Sequence, residues 1–120
     1  LFLKNSGQQP KTFLKKPLFV LIYNVTTKVS TGVHQAWLQW MQQVHIPAVM
    51  ETGCFLKHQL VHLLDADDEE GVTYAVQYYA ANTAQYEAYV SQHASALRQA
   101  AFDAWGDAIV AFRSLMQVLD

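Results

Sequence analysis

The chain has 120 residues, of which 52% are hydrophobic and 15% charged, against a usual charged share of about 25%, so it has more apolar surface to bury than one small monomer needs. A length of this order supports one core rather than several. The formal charge is −2, but four of the eight basic residues (Lys4, Lys11, Lys15, Lys16) fall in the first 16 positions and all ten acidic ones come later, leaving the remainder near −6. A body of that sign repels phosphate backbones, which argues against nucleic acid as a partner.

Leu1 to Pro17 mixes lysines with polar residues and two prolines and lacks an apolar signal core, so it reads as a disordered extension ahead of a single domain over 18–120. With no initiator Met, a native start near Leu21 is a further expectation. Phe19 to Val29 is rich in β-branched and aromatic residues and reads as the first strand, closed by Ser30-Thr31-Gly32. Val33, Trp37, Trp40, Met41 and Val44 then recur at helical spacing, and Pro47 should kink or restart that helix near Ile46 before a turn at Gly53.

Cys54 to Leu64 and Val72 to Ala80 read as two strands joined by the acidic tip Asp65 to Gly71. Asn82 or Thr83 can cap a second long helix, with Tyr86, Val90, His93, Leu97, Ala101 and Ala104 or Trp105 on one face and Gly106 as its stop. Ile109 to Leu119 supplies a last strand. The order β-α-β-β-α-β is the split βαβ motif, an α+β ferredoxin-like fold whose four-stranded antiparallel sheet carries two helices on one face.

The other face of such a sheet is bare. If Tyr23, Val25, Val76, Tyr78, Val110 and Phe112 point at the helices, then Ile22, Asn24, Ala75, Gln77, Ile109, Ala111, Arg113 and Leu115 point away. That face is too apolar for water, and packing it on a second copy gives a homodimer of the dimeric α/β-barrel kind. In strand two both registers contain leucines and polar residues, so its facing stays open.

No metal site is expected. His58 and His62 share a strand face but lie about 13 Å apart at roughly 3.3 Å per residue, too far to hold one ion, and His34, His45 and His93 have no ligand partner three or four positions away. The acidic tip fails the EF-hand pattern, since Glu70 and Val76 stand where glycine and a carboxylate are required. No phosphate-binding, dinucleotide or nucleophile-elbow motif is present, so no cofactor is expected. Cys54 reads as a small buried hydrophobe, and as a lone cysteine it points to the cytoplasm. The longest unbroken apolar run, Leu18 to Tyr23, is far short of the roughly 20 residues a membrane-spanning helix requires.

The sequence resembles a bacterial family of unknown function within the dimeric α/β-barrel group. The resemblance covers Ile22 to Leu119 and is carried by IYNVT at Ile22–Thr26, WLQWM at Trp37–Met41, HIP at His45–Pro47 and TGCF at Thr52–Phe55. It continues through EEGVTYAVQY at Glu69–Tyr78, HASALR at His93–Arg98 and VAFRSLM at Val110–Met116. It implies a ferredoxin-like fold and dimerisation, and no activity.

The remaining polar constellation is Asn24, Gln77 and Arg113, expected together on the bare face. There Arg113 would pair an anionic group and the amides would orient a small organic ligand in the dimer interior, with an inter-subunit hydrogen-bond network as the competing role. The alternative is a cofactor-poor enzyme of the monooxygenase or isomerase type, for which His58, His62, His93 and Tyr79 are the candidate proton-transfer groups. The haem-degrading members of this fold carry a Trp and a His where this chain has Tyr89 and Gln99, which counts against that chemistry.

Overall fold

The computed structural model describes residues 20–67 and 69–120. The expected extension over 1–17, the first two positions of the expected domain and Asp68 of the acidic tip lie outside them. Four strands, β1 (Leu21–Ser30), β2 (Lys57–His62), β3 (Gly71–Ala80) and β4 (Ile109–Gln117), form one sheet in the order β2-β3-β1-β4, with every neighbouring pair antiparallel. The first crossover holds α1 (His34–Trp40) and α2 (Ile46–Glu51), and the second holds α3 (Thr83–Gln92) and α4 (Ala94–Trp105). This is the ferredoxin-like βαββαβ topology.

Pro47 acts on its helix from upstream. Met41–His45 is a π-helical turn between α1 and α2, and the Ile46 N–H bonds the Met41 carbonyl five residues back. Pro47 then sits in the first turn of α2, where its missing N–H costs least. The second helix is capped at Asn82, whose Oδ1 accepts from the Gln85 N–H at 2.9 Å. It breaks at His93 (φ −130°, ψ −32°), a bend the sequence pattern does not announce. The bend changes which face packs: Tyr89 and Ala94 are buried, while Val90, expected inward, is 43% exposed. Gly106 ends α4 at φ +56°, a left-handed value that favours glycine.

Strand two is shorter than expected, because Cys54 and Phe55 turn into the core ahead of the ladder. Its facing is settled by pairing. Residues directly opposite each other in antiparallel strands share a face, and His58, Leu60 and His62 stand opposite Tyr78, Val76 and Tyr74, on the helix side. The core lies between the sheet and the helices, where Tyr23, Val29, Val76, Tyr78 and Ala80 meet Trp37, Met41, Ile46, Val49, Phe55, Tyr89 and Ala94.

Gly71 shows how closely the start of β3 lies against the end of β1. A Cβ there would lie 2.7 Å from the Val29 carbonyl oxygen, backbone that cannot swing away. Gly71→Ala is expected to cost about 1–3 kcal/mol, the usual range for overpacking. Gly32→Ala, where nothing lies within 4 Å, should be neutral or slightly stabilising. Urea-unfolding midpoints of the two variants check the contrast.

Candidate functional site

Strand four is one residue out of phase with its expected facing. Its ladder pairs Arg113 with Val25, Ala111 with Thr27 and Ile109 with Val29, so these three point at the helices, while Val110, Phe112, Ser114 and Met116 take the bare face. The expected trio is thereby divided. Asn24 and Gln77 stand opposite each other on the bare face, with Gln59 and Ser114 completing a polar row across all four strands. Asn24 is 8% exposed, and its Nδ2 donates to Thr26 Oγ1 at 3.0 Å. Arg113 is on the opposite side of the sheet. The cause is a two-residue periodicity that converts a one-residue slip into a change of face for the whole strand.

On the helix side, Arg113 borders a cleft between the sheet and both helical crossovers. Its floor is made by the buried Trp37, Met41, Val49 and Tyr78, its walls include Thr27, Trp40, His45 and Tyr89, and Arg98 and Arg113 stand exposed at its mouth. Counting the open mouth it contains about 530 Å³, of which about 60 Å³ admits the centre of a water molecule.

At the cleft's polar end, Arg113 Nε donates to the Tyr23 hydroxyl at 3.2 Å and Arg98 Nη2 donates to the same oxygen at 3.3 Å. These are the only two arginines in the chain. They arrive from α4 and β4 on one neutral acceptor. Among the described residues, no carboxylate forms an ion pair with either guanidinium. The shared acceptor is itself held firmly, because the Tyr23 ring lies 5.6–6.2 Å from those of Phe55, Tyr78, Tyr86 and Tyr89, contacts that each add roughly 0.5–1.5 kcal/mol beyond burial. Burial and the neighbouring phenols raise the Tyr78 and Tyr89 hydroxyls well above the ordinary tyrosine range, so both stay protonated donors.

His45, at the end of the π-helical turn, stacks on Trp40 with ring centroids 5.0 Å apart. Burial, with Arg113 adding repulsion, lowers its pKa below the ordinary 6.5 and favours the neutral imidazole at pH 7. The unfolded chain then binds a proton that the folded chain resists. This contribution to stability is complete above pH about 6.5 and is lost progressively as the pH falls from there toward the lowered folded value. Urea midpoints measured from pH 7.5 to 5 should fall less steeply in His45→Gln; an unaltered slope would assign the acid sensitivity to other groups.

The four expected proton-transfer candidates are elsewhere. His58 lies in a shallow groove with Pro47 and Met50, Tyr79 is on the bare face, His62 lies against Tyr74, and His93 sits at the helix bend beside Tyr89. His34 Nδ1 contacts the Tyr74 hydroxyl at 2.9 Å, and Cys54 is buried. Two residues of the cleft were missed, Arg98 and His45. A sequence signal existed for Arg98: between Glu87 and Asp103 it is the one Lys, Arg, Asp or Glu, in a stretch otherwise built of Ala, Ser, Gln, His, aromatic and aliphatic residues.

Residues 20–119 match a family described as Domain of unknown function (DUF4286). The chain belongs to that family. A comparison of the DUF4286 chain with curated proteins finds no match. Among solved structures, it is similar to a dimeric ferredoxin-like protein from an uncultured marine organism, with a TM-score of 0.67 at 11% identity over 85% of this chain and 97% of that one. An ethyl tert-butyl ether d (EthD) family protein from Bacillus halodurans gives 0.63 at 10% identity over 82% and 99%. A mutant of SnoaB, a cofactor-independent oxygenase from Streptomyces nogalater, gives 0.58 at 13% identity over 83% and 94%. At these identities the likeness is one of fold. No helix among the described residues of the DUF4286 chain is long and apolar enough to cross a membrane.

Proposed function

We propose that this chain binds a small organic anion in the cleft between its sheet and helices, with Arg98 and Arg113 holding the charge. The observation that carries this reading is the convergence of the chain's only two arginines on one phenol oxygen without a carboxylate to balance them among the described residues. Two cations sharing a neutral acceptor repel each other, and an anion bridging them turns that repulsion into two charge-assisted hydrogen bonds. Arg113 thus keeps its role as anchor, in the cleft and not in the dimer interior.

The same reading makes the protein a cytoplasmic homodimer joined through its bare sheet faces. Phe112 and Val110 are 66% and 55% exposed on that face, and one structure of the same fold is described as dimeric. Asn24 and Gln77 then belong to the interface, where their amides bond across it. The buried, unpaired Cys54 suits a reducing compartment.

A second reading, a cofactor-poor enzyme of the monooxygenase or isomerase type, is favoured by one observation. A neutral imidazole on the cleft wall, His45, is what a general base requires. The binding reading is tested by calorimetry with sodium acetate, butanoate and phosphate on wild type, Arg98→Met and Arg113→Met. At least one anion is expected to bind wild type, and each variant should weaken that binding by tenfold or more. Equal binding by all three proteins would overturn it.

A further inference from the structure

The cleft is asymmetric in a way that specifies more than charge. Its mouth carries both guanidinium groups, exposed to solvent, and its floor is Trp37, Met41, Val49 and Tyr78, all buried. A ligand that fills it has one anionic end and an apolar remainder. Size narrows the class further. A water takes up about 30 Å³ and a cavity of about 150 Å³ holds one benzene, so 60 Å³ corresponds to roughly two waters and to an apolar tail of about two or three carbons. Inorganic phosphate would leave the floor unfilled, and a fused-ring compound would not enter.

We infer that the cleft is selective for short-chain monocarboxylates of about three or four carbons, the carboxylate lying between Arg98 and Arg113 and the alkyl chain resting on Trp37, Met41 and Val49. This rests on the anion-binding reading of the same cleft and adds the class of ligand. The carboxylate accepts from both guanidinium groups and relieves their competition for the Tyr23 hydroxyl. The chain replaces water that has few polar partners at the floor. Burial of each methylene is worth about a factor of four in affinity, so the ligand series itself reports where the chain goes.

Trp37 and Trp40 line the cleft, and tryptophan fluorescence therefore reads occupancy directly in the full chain. Titrations with acetate, propanoate, butanoate, pentanoate and octanoate, together with inorganic phosphate and butan-1-ol, test the inference. Affinity should rise about fifteenfold from acetate to butanoate, level off at pentanoate and fall at octanoate, and butan-1-ol should not bind. Arg113→Met should weaken butanoate by tenfold or more while keeping the order of chain lengths. If phosphate binds and the carboxylates show no dependence on length, the ligand class is wrong and the anion site stands. If no anion changes the signal or gives heat by calorimetry, both readings fall together.

Discussion

Trp37→Ala is expected to remove about 3–5 kcal/mol of folding stability, the range for deleting a buried tryptophan or phenylalanine. Trp37 is 2% exposed, stacks on Tyr74 with ring centroids 5.3 Å apart and shares the floor of the cleft with Met41 and Val49. Its removal joins a new void to space that already opens to solvent, so neighbouring side chains cannot close it. Against a total stability of roughly 5–15 kcal/mol for a domain of this size, the loss is about a fifth or more. With a urea slope of about 1–1.5 kcal/mol per molar, the midpoint should drop by roughly 2–5 M. Gln39→Ala, two residues further on and on the exposed side of α1, should stay within about 0.5 kcal/mol of wild type. A Trp37→Ala loss below about 1 kcal/mol would mean that the packing between α1 and the sheet carries little of the fold.

Phe112→Asp is expected to convert the proposed dimer to a folded monomer. Phe112 protrudes from the bare face of edge strand β4, with Val110 and Met116 on the same side and Thr26 and Ala75 in its cross-sheet row. In a two-fold interface the substitution occurs twice. At about 2 kcal/mol or more per copy for a central aromatic, the dissociation constant should rise by at least about a thousandfold. Because the side chain is exposed within one protomer, the thermal unfolding of the monomer should retain its cooperativity. Light scattering coupled to size exclusion reads the mass: twice the chain for wild type at micromolar concentration, once for the variant. A wild-type protein that runs as a monomer, or a variant that remains dimeric, would remove the bare sheet face as the interface.

The order of elements and the antiparallel sheet were legible because strand and helix periods are strong signals where one face is buried. The facing of β4 was not, since Ile109, Ala111 and Leu115 are as apolar as Val110, Phe112 and Met116, and either parity reads as a core. Only the ladder with β1 decides it, placing Arg113 opposite Val25. The same ambiguity in β2 was resolved only by its pairing with β3. For the site, Arg113 was expected on the bare face with Asn24 and Gln77; the ladder puts it on the helix side, where Arg98 and His45 line the same cleft. Arg98 comes to Tyr23 from a residue 75 positions away, and no local pattern encodes that meeting. The bend at His93 was hidden for a related reason: no Gly or Pro marks it, and the seating of Tyr89 among Tyr23 and Phe55 accompanies the change of phase.

The π-helical turn at Met41–His45 has a consequence for how relatives of this chain should be aligned. Such a turn is an α-helix carrying one surplus residue, and each residue of an α-helix advances the chain by about 100°. A family member one residue shorter between Trp40 and Pro47 would have a regular helix there. The histidine would then be rotated by roughly that angle away from Trp40 and from the cleft, even with the letters HIP intact. Identity at the histidine column is therefore insufficient to transfer its role. Segment length identifies the relatives whose histidine occupies the same place in space.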